Sequence, residues 1–201
     1  MHGSGIDKDV HTNGLTGEVT SWDVAYYIND EESPILDETA VFTIDQLYPG
    51  MPDREDVVHI YNMGTTSSTI KYELISVKVF GEDITEQLKT DNIIQTDGNT
   101  TNLFSDDTKY PFNISYTYDK TRLDGRYVDD ETTPDAVATF KFNVNWPFTG
   151  NGTEAEKLAK DVLDTQFGKD AYKYYQDSEN NPAKAVEIKV KITSAILREN
   201  Q

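Results

Sequence analysis

Two stretches of this chain alternate apolar and polar side chains with strict regularity. In one, Phe112, Ile114, Tyr116 and Tyr118 are interleaved with Asn113, Ser115, Thr117 and Asp119. In the other, Ala138, Phe140, Phe142, Val144 and Trp146 are interleaved with Thr139, Lys141, Asn143 and Asn145, and Pro147 stops the run. Successive side chains of a strand leave on opposite faces, so this period predicts strands with one face buried and one wet. Trp22, Val24, Tyr26 and Ile28 repeat the pattern, as do Ala40, Phe42 and Ile44, then Val58 and Ile60. Val186, Ile188, Val190 and Ile192 close the series, with Glu187, Lys189 and Lys191 facing water. One strand is irregular. Ile70, Tyr72 and Leu74 share one parity and Ile75, Val77 and Val79 the other, which predicts a bulge or burial on both faces.

Turn formers divide these strands. Leu47-Tyr48-Pro49-Gly50-Met51-Pro52 turns the chain, Asn62-Met63-Gly64 ends the next strand, and Asp124-Gly125 marks a turn within a polar loop over 119–135. Over 81–110, Ile84, Leu88 and Ile93 give a short helix, and the remainder reads as loop. Residues 153–177 differ in kind. Leu158, Val162 and Gln166, with Leu163 and Phe167, follow helical spacing among frequent Ala, Glu and Lys, so an amphipathic helix is predicted. Gly168 is expected to end it, with another turn or two over Asp170–Tyr175. Seven or so short strands and one helical excursion predict a mostly β protein. The expected fold is a jelly-roll-like antiparallel β-sandwich with a helical insertion before the last strand. Residues 1–14, polar and Gly-rich, read as a flexible arm, and 15–201 as a single domain.

The balance of 36 acidic against 18 basic residues, a net charge of −18, repels phosphate backbones and anionic lipid. Neither a nucleic-acid partner nor membrane insertion is expected, and no apolar run reaches the roughly 18–20 residues of a membrane span. Twelve Tyr and eight Phe separate the chain from acidic disordered sequences, which lack aromatics. Without cysteine there is no disulfide, thiolate zinc site or thiol nucleophile. The opening Met1-His2-Gly3-Ser4-Gly5 lacks the charged-then-apolar order of an export signal. A removed signal and a native start both fit it.

His2, His11 and His59 form no His-Glu-x-x-His pair, which would set two imidazoles on one helical face for zinc. His59 reads as an ordinary strand residue. No Gly-x-Ser-x-Gly elbow or phosphate-cradling glycine loop is present. Carboxylate pairs for glycoside hydrolysis are set by the fold, and no pair stands out among so many acids. Asp106-Asp107 and Asp129-Asp130-Glu131 offer oxygen ligands of the kind calcium takes, without the EF-hand order, and read as solvated loop charge. Trp22 and Trp146 are in phase with the apolar faces and read as core. No enzyme and no cofactor are expected, calcium being the one candidate.

Several of these segments, taken in order, resemble the TasA/camelysin family of surface and biofilm-fibre proteins of Gram-positive bacteria. Phe42-Thr-Ile-Asp-Gln-Leu-Tyr-Pro-Gly-Met51 looks like that family's segment ending in Leu-x-Pro-Gly, and Asn62-Met63-Gly64-Thr65 its Asn-x-Gly-(Ser/Thr) turn. Thr69–Phe80 takes the place of the long strand that follows there. Phe140–Phe148, with Trp146-Pro147, and Leu163-Asp-Thr-Gln-Phe-Gly168 are similar to the Trp-Pro-Phe/Tyr and Asp-Thr-x-x-Gly pattern of relatives exported by a SipW-type signal. Camelysins are described as metallopeptidases, but the zinc pair is missing here. The resemblance implies a secreted jelly-roll domain at the cell surface or in the extracellular matrix, assembling into fibres by donor-strand exchange.

On that reading, partners are other copies of the chain. Ile6, Val10 and Leu15 of the arm are the donor side chains, and the strands bearing Phe42, Phe140 or Val190 line the acceptor. The alternative is a monomeric surface module that binds carbohydrate or protein.

Overall fold

In a computed structural model of the chain, the structure describes residues 24–28, 39–44, 47–105, 109–126, 134–147, 152–177 and 185–197. Eleven strands and two α-helices lie within them. They run β1 (Val24–Ile28), β2 (Thr39–Ile44), β3 (Arg54–Asn62), β4 (Ser68–Val79), β5 (Glu82–Asp83), α1 (Thr85–Thr90), β6 (Gln95–Asp97), β7 (Thr100–Ser105), β8 (Asn113–Tyr118), β9 (Arg122–Leu123), β10 (Val137–Asn145), α2 (Glu154–Gln176) and β11 (Val186–Ile196). A 3-10 turn, Pro134–Ala136, leads into β10.

The strands form two antiparallel sheets. One has the order β1-β3-β10-β8-β7-β6; the other has β2-β11-β4-β5, with β9 also pairing to β4. The pairings are nested: β2 with β11, β3 with β10, β4 with β9, β7 with β8. Such nesting is a long antiparallel ribbon folded over on itself, the organisation of a jelly roll. The apolar faces close on each other. Phe42 of β2 stacks on Phe140 and Phe142 of β10, with centroids 5.7 and 4.4 Å away, and Tyr72 of β4 stacks on Tyr118 of β8 at 4.2 Å. Stacked rings add about 0.5–1.5 kcal/mol per pair beyond the area they remove from water.

The predicted alternation is present. Ile114, Ala138, Phe140, Phe142, Val144, Trp146, Val186, Ile188, Val190 and Ile192 are all buried. So is the parity change of β4. Leu74 pairs with Val190 and Ser76 with Lys189, so Ile75 is an extra residue opposite the β11 ladder, and it is 45% exposed. One bulged residue lets Ile70 and Val77, of opposite parity, enter the same core. Trp22 lies outside the described residues.

The segment read as loop between α1 and β8 is corrected by the structure: it holds the hairpin β6–β7, turning at Gly98 with φ +59°. β7 is bulged at Leu103, because Asn102 pairs with Ser115 and Phe104 with Ile114. Leu103 and Phe104 are consequently both buried. Adjacent buried residues erase the period-2 signal, so the strand was hidden in the sequence.

Two expectations for α2 are also corrected. Gly168 does not end the helix, which continues to Gln176. Phe167 and Ala171, one turn apart, are both buried and hold the helix to the sandwich on either side of the glycine. Of the expected face, Phe167 is buried and Leu163 half-buried, but Leu158 and Val162 are 65% and 63% exposed, and Asp164 and Ala171 face inward in their place. The helix begins on a capping box: Thr153 Oγ1 accepts from Glu156 N–H, and Glu156 accepts from Thr153 N–H.

Candidate functional site

The two flanks of the sandwich end differently. On one flank the border strands are β5 and β6, two and three residues long, exposed, and carrying Glu82, Asp83 and Asp97. Short acidic edges of this kind resist pairing with another chain. On the other flank the border strands are β1 and β2, of five and six residues. Among the described residues β2 pairs with β11 alone. The Phe42 contacts set β2 over β10, so β3 and β1 carry the six-stranded sheet further than β2 carries the other.

One end of β2 is pinned. Arg54, the first residue of β3, donates from Nη1 to the Thr43 carbonyl at 2.7 Å and from Nη2 to Asp56 Oδ2 at 2.5 Å. Asp56 is nearly buried, so the guanidinium both balances its charge and couples β3 to the edge strand. Of the three strands expected to line an acceptor, only the one bearing Phe42 lies at an edge among the described residues. Phe140 lies in β10, paired on both sides by β3 and β8, and Val190 lies in β11, between β2 and β4. Ile6, Val10 and Leu15, expected as donor side chains, lie outside the described residues, as do the acidic groups 106–107 and 129–131.

The short motifs noted in the sequence act as joints of the fold. Pro49-Gly50 forms a tight turn, with Met51 N–H donating to the Tyr48 carbonyl at 3.2 Å and Gly50 at φ +74°, the conformation a type II turn requires there. Gly50 N–H in turn donates to the Trp146 carbonyl at 2.6 Å. The Trp146 ring is fully buried against Phe112 and Phe167. The segments 47–52, 146–147 and 163–168 therefore meet in one place. Asn62 makes the second joint. Its Nδ2 donates to the Thr66 carbonyl at 2.9 Å, and its Oδ1 accepts from Gly64 N–H at 3.1 Å, closing the β3–β4 turn. Gly125 packs on that turn, and Arg126 N–H donates to the Gly64 carbonyl.

His59 sits on the outer face of the six-stranded sheet, in a shallow depression of about 600 Å³. Glu55, Val57, Thr117, Tyr118, Asp119, Thr139 and Lys141 complete its lining. Glu55 lies 4.0 Å from Lys141, and Asp119 Oδ1 accepts from Thr139 N–H at 2.7 Å. The His59 ring lies 6.1 Å from that of Tyr61. The strand position of His59 is legible in the sequence but this grouping is not, because its members are brought together only by the registers of β3, β10 and β8. Among the described residues no group of three His, Asp or Glu side chains is placed to hold a metal ion, and no helix is long and apolar enough to cross a membrane.

Comparison with protein-family models gives no match for this chain, and neither characterised proteins nor solved structures match it.

Proposed function

We propose that the protein is an extracellular structural protein of the cell surface or matrix, whose copies join by strand addition, each N-terminal arm completing the β2 edge of the next copy. The observation that carries this reading is β2 itself. Among the described residues it is a six-residue border strand seated over β10, and the six-stranded sheet opposite extends past it through β3 and β1. A strand laid beside β2 satisfies its outward N–H and C=O groups and lies over β3. Ile6, Val10 and Leu15 supply the apolar side chains for that seat. The net charge of −18 opposes indiscriminate association, so joining depends on one specific contact. The resemblance to TasA-like sequences points the same way. No catalytic step is assigned to the chain.

The test is removal of residues 1–14. Electron microscopy of the full chain is expected to show filaments, and the shortened chain is expected to remain a folded monomer without them. A synthetic peptide covering residues 6–15 should then bind the shortened monomer one to one. Filaments formed equally well without the arm would eliminate the mechanism.

A further inference from the structure

The outer faces of the two sheets differ in chemistry. On the five-stranded sheet, Lys71, Glu73, Lys78, Glu187, Lys189 and Lys191 project outward, an ordinary charged, solvated face. The six-stranded sheet is different. Its registers set Glu55, Asn143, Ser115 and Asn102 in one row across β3, β10, β8 and β7. Val57, Lys141, Thr117 and Thr100 form the next row, and Asn145 and Asn113 part of a third. Apart from the paired Glu55 and Lys141, these rows are amides, hydroxyls and one valine. The row through Lys141 and Thr100 continues to Asp97 of β6, and Asp119 lines the neighbouring depression, so carboxylates border the amide- and hydroxyl-rich part of the face.

We propose that this face binds a neutral polysaccharide. Amide and hydroxyl side chains both donate and accept, which suits sugar hydroxyls, and with Glu55 offset by Lys141 and with Asp97 and Asp119 at the margins the face gives no attraction for a polyanion. Several of these groups are already oriented. Asn113 Nδ2 donates to Asn145 Oδ1 at 2.7 Å, and Thr100 Oγ1 to Thr117 Oγ1 at 3.0 Å. The side chains are thus held by cross-strand bonds and lose little freedom on binding. Four strands spaced about 4.8 Å apart span roughly 14 Å, long enough for a short run of sugar rings. The rows lead into the depression beside His59, where Thr117, Thr139 and Asp119 continue the polar lining. This site is separate from the β2 edge, so monomers and filaments alike present it.

Native affinity electrophoresis of the full chain in gels containing hydroxyethyl cellulose, soluble starch or mannan tests the proposal, with alginate as the polyanion. At least one neutral polymer is expected to retard the protein, and alginate is not. The double substitution Ser115→Glu with Thr117→Glu should weaken retardation at least tenfold. Asn143→Ala with Asn145→Ala, which shortens side chains without adding charge, should weaken it severalfold, while Lys71→Ala with Glu73→Ala on the other sheet leaves it unchanged. The proposal is overturned if none of the three neutral polymers retards the protein, if alginate retards it equally, or if the folded Asn143 and Asn145 variant is retained like the original.

Discussion

Trp146 donates its indole N–H to Asp164 Oδ1 at 2.8 Å, joining the end of β10 to the buried face of α2. The tryptophan is fully buried and the aspartate is only 8% exposed. This bond explains why α2 turns a carboxylate inward and leaves Leu158 and Val162 in water. Burying the indole N–H without an acceptor is costly, and the ring pocket of Phe112, Trp146 and Phe80 already takes Phe167.

Asp164→Leu should therefore lower stability by about 1–3 kcal/mol, although it replaces a polar group by an apolar one, because the indole N–H loses its acceptor. Asp164→Asn keeps an acceptor oxygen and should cost less. Urea unfolding followed by circular dichroism separates the two. A stabilised Asp164→Leu protein would contradict the assignment.

The outward face of α2 gives the opposite expectation. Leu158→Lys and Val162→Lys should each change stability by no more than about 0.5 kcal/mol, since neither side chain enters the core. A loss of several kcal/mol from either would restore the helix orientation that simple apolar periodicity suggests.

Two glycines should respond with opposite signs. A Cβ on Gly125 would stand 2.7 Å from the Thr65 carbonyl carbon and 2.8 Å from its oxygen, both backbone atoms, so Gly125→Ala should cost about 1–3 kcal/mol. A Cβ on Gly168 meets nothing within 4 Å inside α2, so Gly168→Ala should stabilise by about 0.5–1 kcal/mol. Thermal melts of the two variants suffice to test this.

Acid should act through Asp83. Its carboxylate accepts from the Thr85 hydroxyl at 2.6 Å and from Thr85 N–H at 3.0 Å, and these bonds, with Lys78 nearby, hold its pKa below the ordinary value of 3.8. A depressed folded-state pKa means the charged form stabilises the fold above pH 3.8, and that this contribution is lost as pH falls through the folded-state value. Asp83→Asn should be less stable than the original at pH 7, and the difference should shrink on acidification below 3.8. A difference independent of pH would show that the ionised carboxylate is not responsible.

Alkali should act through Tyr116. Burial raises its pKa above the ordinary 10.0, opposed in part by its hydrogen bond with Thr101. The neutral phenol is the form the fold favours, so its contribution is complete below pH 10 and is lost as pH rises through the higher folded-state value. Absorbance titration of tyrosine should lose a late-ionising component in Tyr116→Phe. An unchanged titration curve would refute this.

What the sequence determined by itself was everything that strict periodicity encodes: the strands bearing Phe42, Ile60, Phe140 and Ile188, their buried faces, and the parity break that the bulge at Ile75 absorbs. Alternation is a local property of the backbone, so it survives without knowledge of the fold. The tertiary structure alone decided the rest. Leu103 and Phe104 are adjacent and both buried because β7 bulges against β8, and no local period announces that. Asp164 faces inward because Trp146, 18 residues earlier, brings an N–H that needs an acceptor. The border position of β2 among the described residues and the amide- and hydroxyl-rich rows on the six-stranded sheet follow from pairings between distant segments. Which strand lies at an edge, and which side chains share a row, are facts of register between strands and have no signature within any one of them.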